Sequence, residues 1–369
     1  MTLRKLPGSG GARLPRSMAG LSLIELMVSI TIGLIILTAV SLVFVNASSS
    51  RAEIERTSRQ IENGRYAIDL LSDDLRVAGF YGELSVSSLT ATGTPAVINP
   101  PTAPIDPCST TAADWNNAIP LHLQGYDAGA TSTDTVAVDV LYAATSPACL
   151  PSSLNFQPGT DVLVLRRART CLAGVGGCDA AASGKPYIQV SLCATETASH
   201  VLGLQGTATF NLTKKDCSTA ADKRQYYVNI YYVSADNGAG STTPTLNRLE
   251  FTGSAWTKSP LVEGIEQFNV QYGLDTDGDG APDVYVDNPN DYPSGCSAAC
   301  RATNWFNVVT VKLYVLARNL DSTPGYTDTK SYQLGGLAYT PATADQKYRR
   351  HVYTALVRVS NPANRRDTP

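Results

Sequence analysis

Residues Leu21 to Val45, LSLIELMVSITIGLIILTAVSLVFV, form an apolar run of 25 residues with a single charged side chain, Glu25. At 1.5 Å per residue, an α-helix of that length crosses the hydrocarbon core of a bilayer. Arg4, Lys5, Arg13 and Arg16 all precede the run and no acid does, so the leading end should stay cytoplasmic and the remainder should be exported. An ordinary secretory signal has a shorter apolar core with a small-residue cleavage site behind it. Here the candidate processing site, Met18-Ala19-Gly20 followed by Leu21, lies ahead of the run. Cleavage there removes residues 1–20 as a leader and keeps the anchor. A carboxylate at Glu25 inside such a segment costs a few kcal/mol, on the order of 3, unless it is neutralised or paired. Two readings of it stand on position alone: a partner in the free α-amine created at residue 21 of a neighbouring subunit, or snorkelling to the interface near a helix end.

The segment Gly20-Leu21-Ser22-Leu23-Ile24-Glu25-Leu26-Met27-Val28 resembles the class III signal of type IV pilins and pseudopilins. The resemblance implies cleavage after Gly20 by a membrane aspartic peptidase and N-methylation of the new first residue. It also implies an assembly role for Glu25, at the family's fifth mature position. Leu21 departs from the phenylalanine usual in that place.

No proline occurs between Leu21 and Pro95, so the helix is expected to continue well past the membrane. From Ser22 to Ala78 it would span roughly 85 Å. Beyond Asn46 the pattern turns amphipathic. Ile54, Ile61, Ile68, Leu71 and Leu75 recur at helical spacing and predict one stripe facing a globular head. Glu55 and Arg59 stand four apart, placed to pair on the wet face. Gly64 weakens the helix and Gly79 ends it. The organisation expected is therefore a leader over 1–20, a helix over 21–78 whose membrane half is 21–45, and an exported head over 79–369.

From Gly82 to about Asp134 the chain is rich in Ser, Thr, Ala and Pro and reads as loops and short strands. After it, β-type runs recur at Thr135–Ala143, Asp161–Arg167, Tyr187–Leu192, Gln225–Val233, Leu246–Phe251, Phe268–Tyr272, Val308–Leu316 and Tyr353–Val359. Strands after one long helix imply an α+β fold with an antiparallel head. Several stretches resemble the minor-pilin family PilW: Glu62–Leu71 with Asp74–Phe80, Val262–Gly273, and Tyr348–Thr354 with Val357–Asn361. Residues 82 to 240 resemble no family. The PilW resemblance implies a pilin-like fold and a structural subunit that primes pilus assembly at or near the tip. Its implied partners are other minor pilins, the major pilin, a PilY-type tip protein, the prepilin peptidase and the inner-membrane assembly platform. The subunit would sit in the inner membrane with its head in the periplasm and then join the surface fibre, which serves twitching, adhesion or DNA uptake. A minor pseudopilin of type II secretion and a membrane-tethered ligand-binding module are the alternatives.

Asp275-Thr276-Asp277-Gly278-Asp279-Gly280-Ala281-Pro282-Asp283 places acids at positions 1, 3, 5 and 9 and Gly at 6. With the carbonyl of Ala281, that set can wrap a hard cation such as Ca2+. Position 12 is Val286 rather than Glu and the flanks read as strands, unlike an EF-hand; a solvated acidic turn is the bland reading. Eight cysteines, none in a C-x-x-C pair, sit behind an export-type N-terminus and read as disulfides. Cys171–Cys178 and Cys296–Cys300 are candidate local staples. No nucleophile elbow, phosphate loop or metalloprotease motif is present, and His122, His200 and His351 are scattered, so no enzyme is expected. With four of the 29 basic residues lost with the leader, 25 face 32 acidic ones, a balance that argues against direct nucleic-acid binding. Arg349-Arg350-His351 reads as a small basic patch at a strand end.

Overall fold

The computed structural model describes residues 20, 22–84, 100–128, 149, 154–253 and 255–364. Residues 1–55 and 56–369 form two units, taken in turn. Helix α1 (Leu23–Arg76) begins in the first and enters the second. In the first unit its apolar side chains, Leu23 through Val45, are exposed. This helix is long and apolar enough to cross a membrane. The hydroxyls inside that segment turn inward on the helix. Ser29 Oγ donates to Glu25 O at 2.6 Å, Thr38 Oγ1 to Leu34 O and Ser41 Oγ to Leu37 O at 2.8 Å each. Such bonds hide polar groups that a lipid environment cannot satisfy.

In the second unit, α1 buries Gln60, Gly64, Ala67, Leu71, Ser72, Asp74 and Leu75. The expected stripe holds for Leu71 and Leu75, both buried, and for Ile68, which packs against the core, but not for its first two members. Ile61 is 39% exposed and Ile54, which lies in the first unit, is 69% exposed. The contact face instead starts with small and polar residues. A Cβ at Gly64 would overlap the Tyr353 ring, so glycine permits the helix to lie close on the strand that carries that ring. Gln60 Nε2 donates to Ala317 O at 2.8 Å and to Arg349 O at 3.0 Å, fixing the helix to two backbone carbonyls. Gly79, at φ +72°, follows the last turn, and Asn361 Nδ2 donates to Ala78 O there.

The head carries thirteen strands among the described residues: β1 (Leu123–Tyr126), β2 (Val162–Leu172), β3 (Pro186–Val190), β4 (His200–Leu204), β5 (Lys223–Ser234), β6 (Thr245–Phe251), β7 (Trp256–Glu263), β8 (Ile265–Leu274), β9 (Val284–Val286), β10 (Val308–Arg318), β11 (Tyr332–Leu334), β12 (Leu337–Tyr339) and β13 (Arg350–Arg358). One sheet runs β1-β2-β5-β3-β4, with β6 also on β5 and β7 on β6; a second runs β13-β10-β8-β9. Strands β11 and β12 form a separate hairpin. All named pairings are antiparallel. Short helices α2 (Ala112–Asn117), α3 (Ala298–Phe306) and α4 (Ser360–Asn364) fill the connections.

Alternation along β5 explains why the first sheet has a core on each face. Tyr231 and Val233 join Ala67, Leu71 and Leu75 of α1 and Phe268, Val311 and Leu313 of the second sheet in one cluster. Tyr226, Val228, Ile230 and Tyr232 point the other way, into a cluster with Trp115, Ile188 and Phe251. Disulfides join Cys108 to Cys149, Cys171 to Cys178, Cys193 to Cys217 and Cys296 to Cys300, leaving no free thiol. The expected strand at Thr135–Ala143 lies outside the described residues.

Candidate functional site

Two places carry the chemistry singled out by the sequence: the start of α1 and the loop between β8 and β9. Gly20 is exposed and in no regular element; Leu21 lies outside the described residues. Ser22 caps the helix. Its backbone N–H donates to Glu25 Oε2 at 3.1 Å, and Glu25 N–H donates to Ser22 Oγ at 3.2 Å. This is a reciprocal capping box, with Ser and Glu three apart, satisfying two amide donors that a helix start leaves open. The Ser-Leu-Ile-Glu spacing that encodes it was present in the sequence but was absorbed into the processing motif. Glu25 therefore has a partner within its own chain.

The β8–β9 loop is held by its own acids. Asp275, buried, accepts from Gly278 N at 2.6 Å and Gly280 N at 3.0 Å. Both glycines have positive φ, a conformation that L side chains resist. Asp283 Oδ2 accepts from Thr276 N at 2.7 Å and Thr276 Oγ1 at 2.8 Å. The Thr276 amide and hydroxyl hold the Asp283 carboxyl below its usual range. Ligand oxygens of Asp275, Asp277 and Asp283 lie within 4.8 Å of one another, as a metal site requires. Asp279 is not in that trio; its Oδ1 accepts from Ala281 N at 2.7 Å. The loop thus brings three of the four acids together.

The three histidines form no constellation. His122 is buried, with Nε2 2.8 Å from Val308 O. His200 Nε2 meets Asn116 Oδ1 at 2.9 Å, and burial pushes its imidazole below the usual range. His351 is exposed and rests edge-on against Tyr353. The basic patch holds for the exposed Arg349 and His351 but not for Arg350. Arg350 is buried, with Nε 2.5 Å from Glu266 Oε2 and Nη1 3.2 Å from Asp328 Oδ2. Tyr339 OH donates to Glu266 Oε1 at 2.8 Å. Its partners lie 84 and 22 positions away in the chain, so no local signal marks Arg350 as an interior ion.

With this geometry in view, the comparisons with known proteins are specific at two ends of the chain. Residues 15–41 match the prokaryotic N-terminal methylation motif. Residues 230–361 match the PilW family, described as Type IV Pilus-assembly protein W. Among solved structures, a type IV-like pilin from Thermus thermophilus is similar at 17% identity, covering 57% of this chain and 81% of that one, with a TM-score of 0.24. Superposition that loose bears no weight in the argument. No curated protein matches the chain.

Proposed function

We propose that this type IV pilin-like chain is a minor pilin that primes fibre assembly and takes a place at or near the pilus tip. One observation carries the reading: a methylation-motif match over 15–41 and a PilW match over 230–361 occur in one chain. The first covers the start of α1, and the second runs from β5 through β13. The PilW match is to a pilus-assembly family, and the role proposed is structural rather than enzymatic.

In this reading the prepilin peptidase cleaves between Gly20 and Leu21 and methylates the Leu21 amine. The helix holds the subunit in the inner membrane with residues 79–369 in the periplasm. When subunits pack, the α-amine of Leu21 on one chain meets Glu25 of a neighbour. Pairing removes a cost on the order of 3 kcal/mol for a carboxylate in hydrocarbon and so fixes the axial register. Glu25's bond to Ser22 N–H makes the isolated helix tolerable; only the amine neutralises the charge. A head of this size suits the tip, where it need not repeat in a helical lattice. Its partners there are other minor pilins, the major pilin and a PilY-type tip protein, with the assembly platform below. Ca2+ in the β8–β9 loop, on Asp275, Asp277 and Asp283, would lock the edge of the second sheet.

Deleting the chain is expected to remove most surface fibres. The unaltered chain should restore them, whereas Glu25→Ala should be cleaved normally yet fail to restore them. Normal fibre numbers in the deletion strain would contradict the role.

A further inference from the structure

A second acidic feature lies away from the β8–β9 loop ligands. Asp127 after β1, Asp161 before β2, Asn269 on β8, and Asp287 after β9 line a cavity of about 70 Å³, closed on one side by Gly336 and Leu337 at the β11–β12 turn. One water needs only about 10–15 Å³ measured that way, so the space admits an ion with water. None of the described residues lining it is basic.

Asp161 is 3% exposed. Its Oδ1 accepts from Ala128 N at 3.0 Å and its Oδ2 from Val270 N at 2.7 Å. Burial, then the neighbouring Asp127 and in smaller part Asp287, push its carboxyl well above the usual range despite those two bonds. Asp287 Oδ1 accepts from Gln271 Nε2 at 2.9 Å and Gly336 N at 3.3 Å. A Cβ at Gly336 would lie 2.5 Å from Asp287 Oδ2, so glycine leaves that carboxylate its place.

The independent observation is Asn269. It is 5% exposed, and its Nδ2 donates to Gly159 O at 3.2 Å. That bond fixes the amide orientation, because the flipped form would set two oxygens together. Its Oδ1 is buried without a hydrogen-bond partner. A buried acceptor left unmatched costs about 1–3 kcal/mol, and a cation or its water satisfies it. Like-charged carboxylates beside it raise the cost of leaving the space without a counter-charge.

We infer that this cavity binds a hard divalent cation through the carboxylates of Asp127, Asp161 and Asp287 and the amide oxygen of Asn269, partly by way of water. The oxygen-only donor set selects Ca2+ or Mg2+ over zinc. Water-mediated contacts are needed, since among the described residues only the loop acids converge to within 4.8 Å. The ion would tie β1, β2, β8 and the β11–β12 turn together, joining the two sheets at one point.

The test uses the full chain in detergent, stripped with EDTA and titrated with Ca2+ by calorimetry, with Mg2+ as competitor. Asp277→Asn/Asp283→Asn disables the loop first. That double variant should still bind one Ca2+. Adding Asp287→Asn, which keeps the hydrogen-bonding shape, should weaken binding by at least about tenfold, as should adding Gly336→Ala. Loss of all Ca2+ binding in the double variant, or equal affinity after both further changes, would overturn the cavity site and leave water as its content. The loop fails separately if the double variant binds as many ions as the unaltered chain.

Discussion

Asp74 is the residue on which the helix-to-head joint turns. Its Oδ1 pairs with Arg167 Nε at 2.6 Å, and its Oδ2 accepts from Asn229 Nδ2 at 2.8 Å and Tyr231 OH at 2.7 Å. One carboxylate on α1 thus gathers donors from β2 and β5. Asp74→Ala leaves three donors without their acceptor in a largely buried place, and the expected loss is about 2–4 kcal/mol of head stability. Urea unfolding of the variant checks this, and an unchanged midpoint would show that the trio contributes nothing net. At the loop, Ca2+ should raise the melting temperature of the unaltered chain more than that of Asp277→Asn/Asp283→Asn. An equal rise in both would remove the loop as a cation site. The motif spacing in the sequence announced the acids but not their division of labour. Asp275 and Asp283 accept from the loop backbone, while Asp279 turns to Ala281.

At the scale of elements, strands in the head follow from period-two patterning. Each expected run from Asp161 onward lies largely within an observed strand, because alternate residues face two cores and the sequence records both. Strands β4, β9, β11 and β12, three to five residues long, were not legible because too few alternations fit in them, and neither was β7, where Pro260 interrupts the run. Helix α1 shows the opposite failure. Its length was legible from the absence of proline, but its contact face only at Ile68, Leu71 and Leu75. Large aliphatics at heptad spacing suggested one stripe, whereas close approach to β13 selects Gly64, Ala67 and Gln60. Gly64→Ala tests that reason. In an exposed helix the change stabilises by about 1 kcal/mol. Here the methyl meets the Tyr353 ring, and overpacking should destabilise the head by about 1–3 kcal/mol instead. A rise in stability would mean that the ring moves aside freely.

Over the whole molecule, the sequence and the folded chain agree on a division of labour. An exposed apolar segment with one carboxylate precedes a two-sheet head stapled by four disulfides. Disulfides of that number fit an oxidising compartment and so fit export. The buried ion network of Arg350, Glu266 and Asp328 was not legible, because its members meet only once β8, β13 and the loop before β11 have folded. The central claim concerns what happens at Gly20 and Leu21. Intact mass and N-terminal sequencing of the membrane-extracted protein, from cells with and without the prepilin peptidase, test it directly. The account predicts a chain that begins at methylated Leu21 only when the peptidase is present. A chain that retains Met1 under both conditions, or one cut after Val45, would contradict it.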